Sequence, residues 1–291
     1  MGALTLEPAR IRLRSMSILD RSMSVNGLTL HYVEHGLPGG RPLVLLHGLT
    51  GHARTWDHLS AALCPPFRGL ALDQRGHGDS DAPADGDYRV STMADDLAGF
   101  VDGLGLGRFA LLGLSMGGRV AICYAGAHAA RVERLVIVDI GPDIHLAGLE
   151  RIRGMMAGAP ERLESPEQAI AFARHANPRH DEAELRHRVI HGLRRAPDGA
   201  FTWKYDRALR EMMRGGARRD PIDLWEPLGR IASPTLLVRG SESDILSPEI
   251  ATKMLERLPD ARLVEVQGAG HSVPGDRPNE FAEIVRSFLV G

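Results

Sequence analysis

Ser115 stands in the run Gly113-Leu114-Ser115-Met116-Gly117-Gly118, after the apolar stretch FALLGL and before a helix-like stretch. A serine at a sharp strand-to-helix turn has the setting of a nucleophile elbow. Small residues are needed on both sides, because side chains at 113 and 117 would collide with neighbouring backbone. The hydroxyl then projects above the sheet. The first N–H groups of the following helix, with their partial positive charge, face any oxyanion that forms there. In a chain with 33 glycines the G-x-S-x-G match alone is weak; the strand–turn–helix setting and the partners below give it weight.

Three other loops supply those partners. His47-Gly48-Leu49-Thr50-Gly51 ends the apolar run PLVLL, and the N–H groups of Leu49 and Met116 are expected to form an oxyanion hole, with the Leu49 side chain lining the acyl pocket. His47 is read as structural, because the base must reach the serine from another loop. Of the 13 histidines, His271 is the expected base: it follows the last strand on the glycine-rich loop Gly268-Ala269-Gly270-His271-Ser272. The acid must accept the Nδ1–H of His271, which fixes the tautomer and stabilises the imidazolium. Asp244, in the loop RGSESD after the run PTLLVRG, is the expected acid; Asp139, at the end of LVIVDIG, is its rival.

Two other groups look reactive and are read otherwise. The loop Asp73-Gln74-Arg75-Gly76-His77-Gly78-Asp79-Ser80 is taken as architecture, with Arg75 and His77 bracing neighbouring turns. His187 and His191 stand four apart on a helical stretch, but no carboxylate or thiolate cluster completes a metal site. The chemistry needs no cofactor and no metal.

The elements that must hold these residues follow from short apolar runs ended by turn residues. An antiparallel hairpin opens the pattern around Asn26-Gly27, a pair suited to a type I′ turn. Buried strands are expected at 42–48, 67–76, 109–115, 135–141, 234–240 and 261–268, with helices at 90–104, 117–130, 248–258 and 279–290 between and after them. Strands alternating with helices give an α/β fold: a mostly parallel eight-stranded sheet with helices on both faces. Between Gly141 and Pro234 no strong buried strand recurs. That interval has helical spacing at 165–175 and 181–195 and reads as a helical insertion over the C-terminal edge of the sheet. Residues 1–22 read as an N-terminal extension.

Composition excludes several classes. The formal net charge of -2 gives no global field for nucleic acid or an anionic membrane. No window approaches a membrane span, and the arginine-bearing N-terminus has no apolar h-region of a signal peptide. Two cysteines, Cys64 and Cys123, make no disulfide framework. A cytoplasmic protein acting on a small molecule is expected, and a homodimer is left open.

Taken together, HGLTG, DQRGHGDS, GLSMGG, RGSESD and GAGHS resemble the α/β-hydrolase superfamily from about Ser24 to Val290. The DQRGHGDS and GAGHS segments resemble bacterial cofactor-free members: carboxylesterases, lactone hydrolases, C–C hydrolases and a menaquinone-pathway lyase. The resemblance implies that 23–140 and 229–291 form the hydrolase core and 141–228 a helical cap. The chain departs from haloalkane dehalogenases and epoxide hydrolases, which carry Asp where Ser115 stands; a serine attacking alkyl carbon would leave an ether that water does not readily cleave. A serine carboxylesterase or lactonase is therefore the leading reading. A C–C hydrolase or lyase with the same triad is the alternative, and a ligand receptor on a hydrolase fold is the third. Trp203, Tyr205, Met155, Met156, Met212 and Met213 are the candidate pocket lining. Arg207, Arg210, Arg214, Arg218 and Arg219 form a basic cluster that leaves an acidic substrate open.

Overall fold

The computed structural model describes residues 18–214 and 222–291; Arg218 and Arg219 of the basic cluster lie outside them. In chain order the elements are β1 (Ile18–Val25), β2 (Leu28–His35), β3 (Arg41–Leu46), α1 (Asp57–Leu63), β4 (Phe67–Leu72), α2 (Val90–Gly103), β5 (Phe109–Leu114), α3 (Met116–Ala127) and β6 (Val132–Val138). There follow α4 (Leu146–Gly158), α5 (Pro166–Ala176), α6 (Glu182–His191), β7 (Leu193–Arg195), β8 (Phe201–Trp203), α7 (Arg207–Arg214) and α8 (Trp225–Leu228). The chain closes with β9 (Thr235–Gly240), α9 (Pro248–Arg257), β10 (Ala261–Val266), α10 (Val273–Asp276) and α11 (Pro278–Val290).

Eight strands form one sheet in the order β1-β2-β4-β3-β5-β6-β9-β10. β2 runs antiparallel to both β1 and β4; every pairing from β4 onward is parallel. Strand alternation divides the core between two faces. Val44, Leu46, Leu111 and Ile137 pack on one face with Phe100 of α2, Tyr124 of α3 and Met254 of α9. Leu43, Leu45, Leu112 and Val136 pack on the other with Leu59 of α1 and Phe281 and Phe288 of α11. Buried on both faces, the central strands read as unbroken apolar runs, which is why they are visible in the sequence. No helix of the described residues is long and apolar enough to cross a membrane.

The hairpin turn lies at Asn26 and Gly27, both with positive φ, 50° and 81°. Its first strand begins at Ile18, however, so residues 18–22, expected in the N-terminal extension, pair with β2. They are exposed and include Asp20 and Arg21, so this edge strand carries no buried pattern to announce it.

Between β6 and β9 the chain builds a layer with its own small core of Leu163, Ala169, Ile170, Leu185, Val189 and Leu193. Several polar contacts tie it to the sheet-bearing part. The loop after β4 is one anchor: Gly78 N–H donates to Lys204 O at 2.7 Å and Lys204 Nζ pairs with Asp79 at 2.7 Å. Within that loop Arg75 is clamped on Asp96, and Asp73 accepts from the N–H groups of Ala53 and Asp79, so the residues serve architecture. A second anchor is His187 of α6, whose Nε2 lies 3.1 Å from Asp57 of α1.

This second anchor has a pH signature. The Asp57 hydrogen bond raises the pKa of His187 above its ordinary value. A histidine with a raised folded value contributes stability that is full below the unfolded value of about 6.5 and is lost as pH rises through the folded one. Melting temperatures between pH 6 and 8 should therefore fall less steeply for His187→Gln than for the wild type. Parallel curves would show that the bridge contributes nothing to stability.

Candidate active site

Ser115 is the hinge between β5 and α3 and adopts φ 53°, ψ -117°, a strained conformation for a residue with a side chain. The flanking glycines explain how it is tolerated. A Cβ on Gly113 would lie 2.3 Å from Gly117 O, and one on Gly117 would lie 2.5 Å from Leu46 O. Neither position has room for any other residue without moving backbone.

His271 arrives from the loop between β10 and α10. Its Nε2 is 2.9 Å from Ser115 Oγ and its Nδ1 is 2.8 Å from Asp139 Oδ2. A carboxylate beside Nδ1 accepts, so Nδ1 carries the hydrogen and Nε2 accepts from the serine hydroxyl. Asp139 is fully buried just beyond the end of β6. Its Oδ1 accepts from Gly240 N–H at 2.9 Å, and its Oδ2 also accepts from Ser243 Oγ. Three donors converge on one carboxylate and hold it oriented.

The expected acid, Asp244, is not in contact with the base. It forms a two-point pair with Arg151 of α4, Oδ2 to Nε at 2.5 Å and Oδ1 to Nη2 at 2.8 Å. That hydrogen bond holds the Asp244 carboxyl below its usual range. The rival, Asp139, occupies the place beside His271. The physical reason is that β6 and β9 are neighbours in the sheet. Their C-terminal ends lie side by side, so a carboxylate from either can face the base, and the loop after β9 delivers Ser243 instead.

His47 is buried and uses both ring nitrogens structurally. Nδ1 lies 2.8 Å from Gly48 O, and Nε2 accepts from Gln74 N–H at 3.0 Å. Burial drives its pKa down to about 3, so it stays neutral. Its carbonyl accepts from Gly117 N–H at 3.2 Å, which ties the loop of Leu49 to the start of α3. Among the described residues the N–H groups of Leu49 and Met116 have no protein acceptor, whereas those of Ser115 and Gly117 are bonded to Val138 O and His47 O. Two free donors beside the serine are what a developing oxyanion requires.

Two adjoining cavities meet at His271. The inner chamber, about 200 Å³, includes Ser115, Leu49 and His271 in its lining; the outer one, about 740 Å³, is bounded by α4, the segment after α5 and the loops after β9 and β10. Met155 lines both and Trp203 lines the inner chamber. Tyr205 and Met212 line neither, nor do Met156 and Met213. The Tyr205 hydroxyl is taken by Arg210 Nη2 at 2.9 Å, and Met212 belongs to α7, which packs against α4. The described arginines of the basic cluster also face elsewhere: Arg207 pairs with Glu211, and Arg210 and Arg214 donate to Ala159 O and Ala157 O. The cations on the cavity walls are Arg151, Arg179 and Arg188, which sequence reasoning passed over. A signal existed: Leu185, Arg188, Val189 and Gly192 recur at helical spacing, and all four line the inner chamber.

A serine at a strand-to-helix turn, a histidine and a buried aspartate in hydrogen-bond series on a mostly parallel sheet define a hydrolase-type scaffold. The family described as alpha/beta hydrolase fold matches residues 41–278, and the chain belongs to that family. Among curated proteins it is similar to an esterase of Mycobacterium tuberculosis, 33% identical over 258 residues, which cover 86% of this chain and 84% of that one. It is 29% identical over 284 residues to N-formylmaleamate deformylase of Pseudomonas putida, covering 94% of this chain and 98% of the relative. Among solved structures, that of E-2-(acetamidomethylene)succinate hydrolase superposes with a TM-score of 0.86 at 26% identity, covering 94% of this chain and all of that one, 100%.

Proposed function

We propose that the protein is a serine hydrolase that cleaves a carboxylic ester or lactone of a small molecule through an acyl-enzyme on Ser115. The observation that carries this reading is the series Ser115 Oγ, His271, Asp139, spanning 2.9 Å and 2.8 Å, beside two unused backbone donors. In the first half-reaction Ser115 Oγ attacks the carbonyl carbon while His271 Nε2 takes its proton. The N–H groups of Leu49 and Met116 hold the oxyanion, and Asp139 stabilises the imidazolium. His271 then gives the proton to the leaving alcohol. Water, deprotonated by His271, attacks the acyl-enzyme, and collapse returns Ser115 and releases the acid. Residues 141–228 act as the cap that closes the acyl site, with Met155 and Trp203 on its inner wall. The esterase among the relatives supports ester hydrolysis.

Steady-state hydrolysis of nitrophenyl esters of graded acyl length, with lactones beside them, tests the reading. Multiple turnover is expected, with a preference for short acyl groups because the inner chamber is only about 200 Å³. A single stoichiometric release, or no release from any ester or lactone, would reject it in favour of a receptor or another bond type.

A further inference from the structure

The inner chamber is chemically lopsided. Its lining contains Arg151 and Arg188 and no aspartate or glutamate. Arg151 is neutralised by Asp244, which lines only the outer cavity. Arg188 is ion-paired too, but its hydrogen bonding is incomplete. Its Nε pairs with Glu184 at 3.1 Å and its Nη1 donates to Ser272 Oγ at 3.2 Å, but its Nη2 is buried with no partner among the described residues. A buried guanidinium nitrogen without an acceptor is uncommon, because its lost hydration is not replaced. The side chain is also well fixed: Ser272 adjoins the base, and the Arg188 carbonyl is held by His52 Nε2 at 2.8 Å. The guanidinium is thus held in place on the chamber wall, with one buried nitrogen of its planar donor fork lacking an acceptor among the described residues.

From this we infer that Arg188 is the binding residue for a carboxylate on the acyl part of the substrate, so that the substrates are hemiesters of small dicarboxylic acids or lactones bearing a carboxylate. The inference rests on the hydrolase reading for the word substrate, but the anion subsite is defined by the chamber itself. A carboxylate accepts from Nη2 and supplies the negative charge that the lining lacks. The same contact sets the distance between the anion and the carbonyl held at Ser115, and the chamber volume restricts the spacer to a few carbons. Neutral acyl groups of the same length leave Nη2 unpaired and are discriminated against, as sites built around a buried donor do.

Calorimetric binding of two isosteres to the purified full-length chain tests this without turnover. Succinamate and succinamide differ only in whether one end is a carboxylate. Succinamate is expected to bind at least tenfold more tightly. Arg188→Gln should abolish that preference, and Ser272→Ala, which removes only the Nη1 contact, should keep it. Should Arg188→Gln fail to fold, Arg188→Lys decides, because it keeps the charge and loses the fork; the preference should fall at least threefold. Equal binding of the two isosteres, binding of neither, or a preference unchanged in the Arg188 variants overturns the inference. Tighter binding of inorganic phosphate than of succinamate overturns the carboxylate assignment. Since no bond is cleaved in these measurements, their failure is distinct from a failure of ester turnover.

Discussion

Replacing Ser115 by alanine is expected to lower kcat by about 10⁵ or more, since loss of the nucleophile alone removes nearly all that a triad contributes. The fold should survive. The Ser115 backbone N–H still donates to Val138 O, and its side chain makes no contact that the sheet depends on beyond the one to His271. Alanine accepts φ 53° no better than serine, so the strain is unchanged and the melting temperature should stay within a few degrees. Kinetics with the best nitrophenyl ester, together with a melting curve, check both halves. A variant that keeps a tenth of wild-type kcat would place the nucleophile elsewhere.

The two aspartates separate just as sharply. Asp139→Asn should cost on the order of 10⁴ in kcat, because the amide no longer holds His271 in the tautomer that can take the serine proton. It should also lower stability. Asp139 is fully buried and accepts from Gly240 N–H, Ser243 Oγ and His271 Nδ1, and an amide nitrogen turned toward any of these places donor against donor. Asp244→Asn should retain kcat within about tenfold and act on KM, because its partner is Arg151 on the cavity wall, and partly exposed pairs contribute little to stability. Parallel steady-state kinetics on the two variants decide between them. A collapse of kcat confined to Asp244→Asn would mean that the loop after β9 carries the working acid.

The contrast between these aspartates shows where the sequence is readable. Strands buried on both faces announce themselves as apolar runs, and the elbow glycines stand directly at the end of one; the loop of His271 follows β10, an edge strand that is only partly buried where a buried one is expected from the sequence. Those features are local: Ser115 and His271 lie 2.9 Å apart, with the Leu49 and Met116 N–H groups in the adjoining backbone. The acid is not a local feature. It depends on which strand ends are neighbours, and the chain from 139 to 240 leaves the sheet and returns to it before β9 docks beside β6. Ser243, which clamps Asp139, has no sequence signature at all.

The layer between β6 and β9 was the least legible. α4, LAGLERIRGMMAG, contains three glycines, which favour helix poorly, so the element that carries Arg151 and Met155 gave no strong periodic signal. The β7–β8 ribbon is only three residues on each side, too short for a strand pattern. Residue type alone makes the aromatic and methionine residues there candidates for pocket lining. Tyr205 instead spends its hydroxyl on Arg210, while Arg188, a charged residue on a partly exposed helix, lines the inner chamber.

The central claim is that Ser115 attacks the substrate and carries the acyl group. Peptide mapping by mass spectrometry after treatment with a fluorophosphonate tests it most directly, since such a reagent forms a stable adduct only on a serine activated by its base. One adduct is expected, on the peptide containing Ser115, formed in step with loss of ester hydrolysis and absent from the Ser115→Ala and His271→Ala variants. An adduct on another residue that tracks the loss of activity, or full activity with Ser115 unmodified under excess reagent, would contradict it.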